Sequence, residues 1–511
     1  MARKKKSEAF SQMYLAKALE GEVRAWVDQG YSGVTQTTSE LLHYWFDRDE
    51  EISEHFHPCQ RQAIETVIYC CEILKPQDLG GLFEKAAPEA LHQHLPLKNE
   101  VESIRFPKYA LKMATGSGKT WVLAALLIWQ YFNKINSEPG KYSYRFLVVT
   151  PGHEVLNRIL DSFKGKRDPK TGNRDPQTSD YKLAIFMPDG SRWRDTFHLE
   201  ILEPSDIQPN TSAPDGPFVC ITNWQQFRFK KSAQDLWARY TGEDVEEQPR
   251  GEIILDFLSE YPDLIVMNDE AHHVHAKKKP KKETGKDEEL VWRQFIDKLY
   301  DRLREQHGQE FGPFVQIDFS ATPFYGSKEK KEFFPHIIYD YPLINAMHDM
   351  LVKQLFLEER QSIAGEDLEE LDFRAERLEP QAGHRRGEIK GLSAGQQLLL
   401  NIGRSKLEQL ASEFRSKGLE HKPVMLVLCE DTKVADCTKE HFAALTDENG
   451  RYYDGRQVMC IHSDLKSSEL AEARRNLAKI DIDDDPLRVC LLYTSDAADE
   501  LDGVDLGGRR I

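Results

Sequence analysis

Cysteine is scarce in this sequence. Eight are scattered over 511 residues, at positions 59, 70, 71, 220, 429, 437, 460 and 490, and no two form a Cys-x-x-Cys pair. That spacing excludes a disulfide framework and gives no ligand pair for a structural zinc ion. Long apolar runs are also missing. The longest, Trp121 to Trp129, falls far short of the ~20 residues that a membrane-spanning helix needs. Met1 to Ser7 is basic but has no apolar core behind it, so it does not read as a secretory signal. A cytoplasmic location without a membrane partner is the expectation. Positive charge is in deficit as well, with 68 Lys and Arg against 85 Asp and Glu and a net charge of −17. This argues against a chain that coats polyanions with its whole surface, but it does not exclude one that grips them through a local groove. His272, His273 and His275 lie close together with no second ligand cluster, so no histidine metal site is expected there.

Glycine, by contrast, sits where chemistry can use it. Residues 113–120 read Met-Ala-Thr-Gly-Ser-Gly-Lys-Thr, between the apolar Tyr109-Ala110-Leu111 and a helical run from Trp121 to Phe132. This is the pattern of a phosphate-binding loop. Thr115, Gly116, Ser117 and Gly118 would turn their N–H groups around nucleotide phosphates, Lys119 would reach the outer phosphates, and Thr120 would ligate Mg²⁺. The following helix offers its positive end to the same anion. The strict pattern has glycine at the first position, where this chain has Met113. Farther on, Leu264-Ile-Val-Met-Asn-Asp-Glu-Ala-His-His273 reads as a buried strand ending in two carboxylates, where open α/β sheets place their ligands. Asp269 is placed to hold the Mg²⁺ shell and Glu270 to polarise an attacking water. A third segment, Phe319-Ser320-Ala321-Thr322-Pro323, follows the apolar Phe314–Ile317.

In this order the three segments resemble a superfamily 2 helicase or translocase of the DEAD/DEAH-box type. Within it, the chain is most similar to the restriction subunit of type III restriction enzymes. The resemblance implies an α/β fold of two tandem RecA-like lobes with central parallel sheets, an ATP hydrolase that uses Mg²⁺, and duplex DNA as the track. It also implies a modification methyltransferase as partner. His272, Ser320 and Thr322 would couple the nucleotide site to the second lobe. Gln60, in Phe56-His-Pro-Cys-Gln-Arg-Gln-Ala-Ile64, resembles the glutamine that reads the adenine edge, since one amide can pair with a donor and an acceptor together. Thr150, Pro151 and Gly152 after Phe146–Val149, and Thr222 and Asn223 within Phe218–Trp224, resemble segments that hold a nucleic-acid backbone without reading bases. Ile338-Tyr-Asp-Tyr-Pro-Leu343 resembles the family's passage out of the first lobe.

The expected layout is a helical lead-in over 1–50, a first ATPase lobe over 51–345, a linker or arm over 346–400 and a partial second lobe over 401–489. Lys119 and Asp269 are 150 residues apart, more than the core fold requires, so insertions are expected at Lys164–Pro217 and Phe229–Arg250. The lysine-rich run Lys277–Lys282 reads as a solvated loop. In the second lobe, Lys422–Leu428 reads as a buried strand, Asp431–Asp436 as a helix start, Val458–Ser463 as a second strand and Ala471–Ile480 as a helix. The tail 490–511 resembles the in-frame translation of a transposase-based sequencing-library adapter. On that reading Val489 is the last natural residue, the second lobe is incomplete, and Asp502, Asp505, Arg509 and Arg510 carry no catalytic role. The nuclease of the parent would not be encoded here, and turnover by the fragment would be poor. Two other readings stay open: a different superfamily 2 DNA or RNA helicase, and an ATP-binding switch module that does not hydrolyse.

Overall fold

Strand segments with unbroken apolar runs can only be buried on both faces, and these chains assemble as parallel sheets between helical layers. The computed structural model describes residues 13–47, 55–168, 171, 173–209, 214–227, 249–273, 288–327, 330–353, 362–363, 366–367, 371–378, 389–419, 422–446, 450–462 and 486–493. The chain is α/β and divides into two compact units, 1–354 and 355–511.

The first unit is built on β1 (Lys108–Met113), β2 (Arg145–Thr150), β3 (Glu200–Leu202), β4 (Phe218–Asn223), β5 (Leu264–Asn268), β6 (Phe314–Ser320) and β9 (Ile337–Tyr341). Between the last two, β7 (Phe324–Ser327) and β8 (Lys330–Phe333) form a separate antiparallel hairpin. The seven-stranded sheet runs β3-β4-β2-β5-β6-β1-β9 and every neighbouring pair is parallel. All strands therefore end at one edge, and the loops after β1, β2, β4, β5 and β6 converge there.

Helices cover both faces. On one lie α1 (Tyr14–Asp28), α2 (Gln36–Phe46), α3 (Pro58–Ile68), the short α4 (Leu79–Ala86), α5 (Pro88–Gln93) and α6 (Leu95–Glu102), then α7 (Lys119–Asn136) and α8 (His153–Lys164). Leu19, Trp45, Ile64, Trp129 and Phe146 are buried between them. On the other lie α9 (Arg250–Ser259) and α10 (Glu288–His307), packing Leu258, Trp292 and Phe295 onto the sheet. The unit closes with α11 (Leu343–His348).

A buried carboxylate fastens the lead-in to this frame. Glu72 lies in a π-helical turn, Tyr69–Leu74, directly after α3. It accepts hydrogen bonds from Thr38 Oγ1 (2.5 Å), Trp129 Nε1 (2.9 Å) and the Thr35 N–H (2.8 Å). Thr35 caps α2 through Thr38 N–H, and Asn133 Nδ2 on α7 donates to Thr38 Oγ1 at 2.9 Å. Neutral donors thus satisfy a carboxylate that is 4 % exposed, which is the condition for burying one.

The expected insertion at 164–217 winds through short 3-10 turns and supplies β3 to the sheet edge. Most of the other one, 228–248, and the lysine-rich run lie outside the described residues.

The second unit holds α12 (Ala394–Ser416), β10 (Met425–Leu428), α13 (Thr432–Ala443), β11 (Val458–His462) and β12 (Val489–Tyr493). Its parallel sheet runs β10-β12-β11. The expected buried strand at 422–428 is shorter and only partly buried, and among the described residues β10 has a neighbouring strand on one side alone. Ser393 caps α12 with a capping box to Gln396, and Asp431 caps α13, as favoured N-cap residues do. Cys490 and Leu491, past the boundary drawn at Val489, are buried in the central strand β12. The apolar Cys490-Leu-Leu-Tyr493 suits a central strand whatever its origin. The helix read at 471–480 and the chain from Thr494 lie outside the described residues.

Candidate active site

The loop between β1 and α7 takes its shape from two glycines. Gly116 has φ +82° and Gly118 φ +79°, values that side chains oppose and glycine tolerates. A Cβ at Gly118 would lie 2.1 Å from Gln60 Nε2, so a larger residue there would have to displace the Gln60 amide as well. Met113, where the strict pattern has glycine, is the fully buried last residue of β1, paired with Tyr341 of β9. The turn begins one residue later, and Ser117 closes it by donating its N–H (3.2 Å) and Oγ (2.7 Å) to Ala114 O. Thr115 and Gly116 are exposed, Ser117 is buried, and Lys119 and Thr120 open α7.

The acidic segment stands opposite. The Asp269 N–H donates to Val149 O at 2.9 Å, tying the end of β5 to β2. Glu270 has φ +47°, a left-handed conformation that costs a non-glycine residue ~1 kcal/mol or more and that clusters at functional sites. This turn brings Glu270 Oε1 to 3.1 Å from Lys119 Nζ, with side chains 6 % and 9 % exposed. Asp269 is pushed up to about 6, first by burial and then by Glu270, against the pull of Lys119 and Arg158. Arg158, on α8, is a cation near this site that the sequence did not single out. Two adjacent buried carboxylates, each opposing the other's charge, beside the first turn of α7, are a donor set that suits a hard divalent cation held by oxygen.

His272 joins this edge to β6. Its Nδ1 lies 2.9 Å from Ser320 Oγ and 3.4 Å from Glu270 Oε2. The Thr322 N–H in turn donates to Ser320 Oγ at 3.0 Å. Glu270, His272, Ser320 and Thr322 therefore form one chain of contacts across two strand ends, although Ser320 follows His272 by 48 residues.

Two expectations take a different form in the structure. Gln60 is 2 % exposed. Its Nε2 donates to Ser117 O at 3.0 Å, and its Oε1 accepts from the His57 N–H at 2.8 Å. The amide expected to read adenine here braces the phosphate loop and caps its own helix. Thr150, Thr222 and Asn223, in segments expected to hold a nucleic-acid backbone, are at most 1 % exposed. The β2–β4 register sets Thr150 beside Asn223, and Thr150 Oγ1 donates to Thr222 O at 3.3 Å. Only Pro151 and Gly152 of that group are partly exposed. No group of three or more His, Cys, Asp or Glu side chains that could hold a metal ion occurs among the described residues, so the Asp269–Glu270 pair stands without a third such ligand, and none of their helices is long and apolar enough to cross a membrane.

Compared with known families, residues 54–325 match the model for the type III restriction enzyme, res subunit. The matched span covers more than half of the chain, from the segment before Gln60 to the residues just after Thr322. No curated protein matches.

Proposed function

Since the chain belongs to the type III restriction enzyme res subunit family, with a superfamily 2 helicase-like motor domain, we propose that it couples ATP hydrolysis to movement along duplex DNA, as part of a restriction subunit. One observation carries this reading. Lys119 and Glu270 meet at 3.1 Å beneath a glycine loop, and Glu270 continues through His272 to Ser320.

The positions support the following roles. The N–H groups of Gly116 to Thr120 orient the phosphates, and Lys119 exchanges Glu270 for them. Glu270, relieved of the ammonium, accepts a proton from the attacking water. His272 and Ser320 carry the change in charge at Glu270 to the loop that holds Thr322. Thr120 and Asp269 would hold Mg²⁺, which when bound neutralises charge on the phosphates. Pro151 and Gly152, at the same sheet edge, would meet the DNA backbone, and a modification methyltransferase would be the family partner.

Phosphate release with and without duplex DNA tests the reading. In a chain whose second lobe is completed, stimulation by DNA that disappears in Lys119→Ala is the expected result. The Lys119–Glu270 pair also favours a second reading, a nucleotide-binding switch with no turnover. That reading requires stoichiometric binding of labelled ATP with no phosphate released in the presence of DNA.

A further inference from the structure

The phosphate loop is held from outside by a segment that the site chemistry does not use. Beyond β9 the chain runs through Pro342, α11 and a turn at Met350 (φ +58°), then returns to the loop. The Ala114 N–H donates to Tyr341 O at 2.9 Å, and Leu351 and Val352 both donate their N–H to Ala346 O, at 2.9 and 3.3 Å. Tyr341 Oη donates to Asp349 Oδ2 at 2.7 Å, which fastens the turn to the strand. The returning chain ends with Val352 against the loop: a Cβ built on Gly116 would lie 3.1 Å from Val352 Cγ1.

On its other side the loop is held by Gln60 through Ser117 O. The two supports are joined, because the Cys59 thiol, next to Gln60, meets the Tyr341 hydroxyl. Ala114, Gly116 and Ser117 are thus held by groups that place no charge at the loop. Gly116 is the apex and has a left-handed φ, so it is the residue with most conformational freedom to lose. A branched side chain packed on it removes that freedom before any ligand arrives, which is how preorganisation raises affinity.

We propose that Tyr341–Val352 is a strap that positions the phosphate loop, with Val352 as its seat on Gly116. The strap also links nucleotide occupancy to the chain leaving the first unit, whose last residue is Gln354. This rests on the loop being the nucleotide site, but the strap's hold on the loop does not. Seating and phosphate binding favour one loop shape, so each strengthens the other, and linkage makes the effect reciprocal.

Hydrogen exchange on the full chain without nucleotide tests the hold directly. Val352→Ala should raise exchange at the Gly116–Gly118 amides at least ~5-fold, while Val352→Ile, which keeps the branched contact, should not. Tyr341→Phe, which removes the hydroxyl's contacts with Asp349 and with the Cys59 thiol, should give a smaller rise and serves if Val352→Ala does not fold. With MgATP, Val352→Ala should weaken binding by a similar factor with kcat little changed, and wild-type Leu351–Lys353 should become more protected. Unchanged exchange at the loop in both Val352→Ala and Tyr341→Phe overturns the proposal. So does tighter nucleotide binding, which would make Val352 an obstruction. If the wild type binds no nucleotide, the reading of the site fails while the nucleotide-free exchange still decides the strap.

Discussion

Lys119 Nζ and Glu270 Oε1 are partners at 3.1 Å, each side chain less than a tenth exposed. The two groups that the chemistry would use on a phosphate and on a water are held in one another's charge. Removing one alone leaves the other buried with its counter-ion gone, which costs far more than the pair contributes.

Lys119→Ala should therefore fail twice. DNA-stimulated phosphate release should fall by at least ~10²–10³-fold, the loss typical of a removed charge-stabilising donor. Stability should fall by ~3–5 kcal/mol because Glu270 stays buried and uncompensated. Adding Glu270→Gln should recover most of that stability and none of the turnover. Thermal unfolding of the single and double variants measures this coupling; additive losses would mean that the pair is not formed.

Glu270→Gln alone should keep nucleotide binding, since the loop and Lys119 remain, while turnover drops ~10²–10⁴-fold as expected for a lost general base. Equilibrium binding of a labelled nucleotide separates the two effects. Binding lost as completely as in Lys119→Ala would assign Glu270 to the metal or to structure.

Gly118→Ala places a Cβ where Gln60 Nε2 already sits and demands φ +79° of an alanine. Nucleotide affinity should fall by well over ~10-fold, with a stability loss above ~1 kcal/mol from the backbone conformation alone. Gly140, with open space around it, is the control, and its alanine variant should lie within ~0.5 kcal/mol of wild type. Adding Gln60→Ala to Gly118→Ala should relieve the collision but leave the strain.

His272→Ala and Ser320→Ala should each separate DNA stimulation from basal turnover. Their contact at 2.9 Å is the link from Glu270 to the loop after β6. Basal phosphate release should stay within a few-fold of wild type while the stimulation by DNA is lost. Stimulation that survives in both variants would remove this pair from the coupling route.

Glu72→Ala should destabilise the protein by ~1–3 kcal/mol for each buried donor left unsatisfied, chiefly the Thr38 hydroxyl and the Thr35 N–H, since Trp129 Nε1 keeps its bond to Thr38 Oγ1. Glu72→Gln should rescue only partly, because its amide must point a donor at one of these donors. The melting temperature reports both effects; an unchanged value in Glu72→Ala would place these contacts among the dispensable ones.

The parts of this site that were legible in the sequence are local ones. A strand of apolar residues followed by Gly-Ser-Gly-Lys-Thr or Asp-Glu-Ala-His declares its own loop, because the chemistry and the turn lie within a few residues. The α/β class followed from the same segments. What stayed hidden depends on contacts between distant positions. Gln60 meets Ser117 across 57 residues, and Glu72 meets Trp129 across 57. The burial of Thr150 and Asn223 is set by strand register, which no short motif encodes. Arg158 and Val352 lie in ordinary helical and apolar sequence, and only the fold brings the one to Asp269 and the other to the loop.

The helix that begins in the phosphate loop is built in at its far end too. Trp129 and Asn133 of α7 are locked to Glu72 and Thr38, so the helix behaves as a beam clamped at its tail. A push at Lys119 cannot be absorbed by recoil along the axis of α7. It must pass sideways, into β9 and its strap or into β5 and the carboxylates. If nucleotide binding does push on Lys119, the helices that hold the tail of α7 are its anvil.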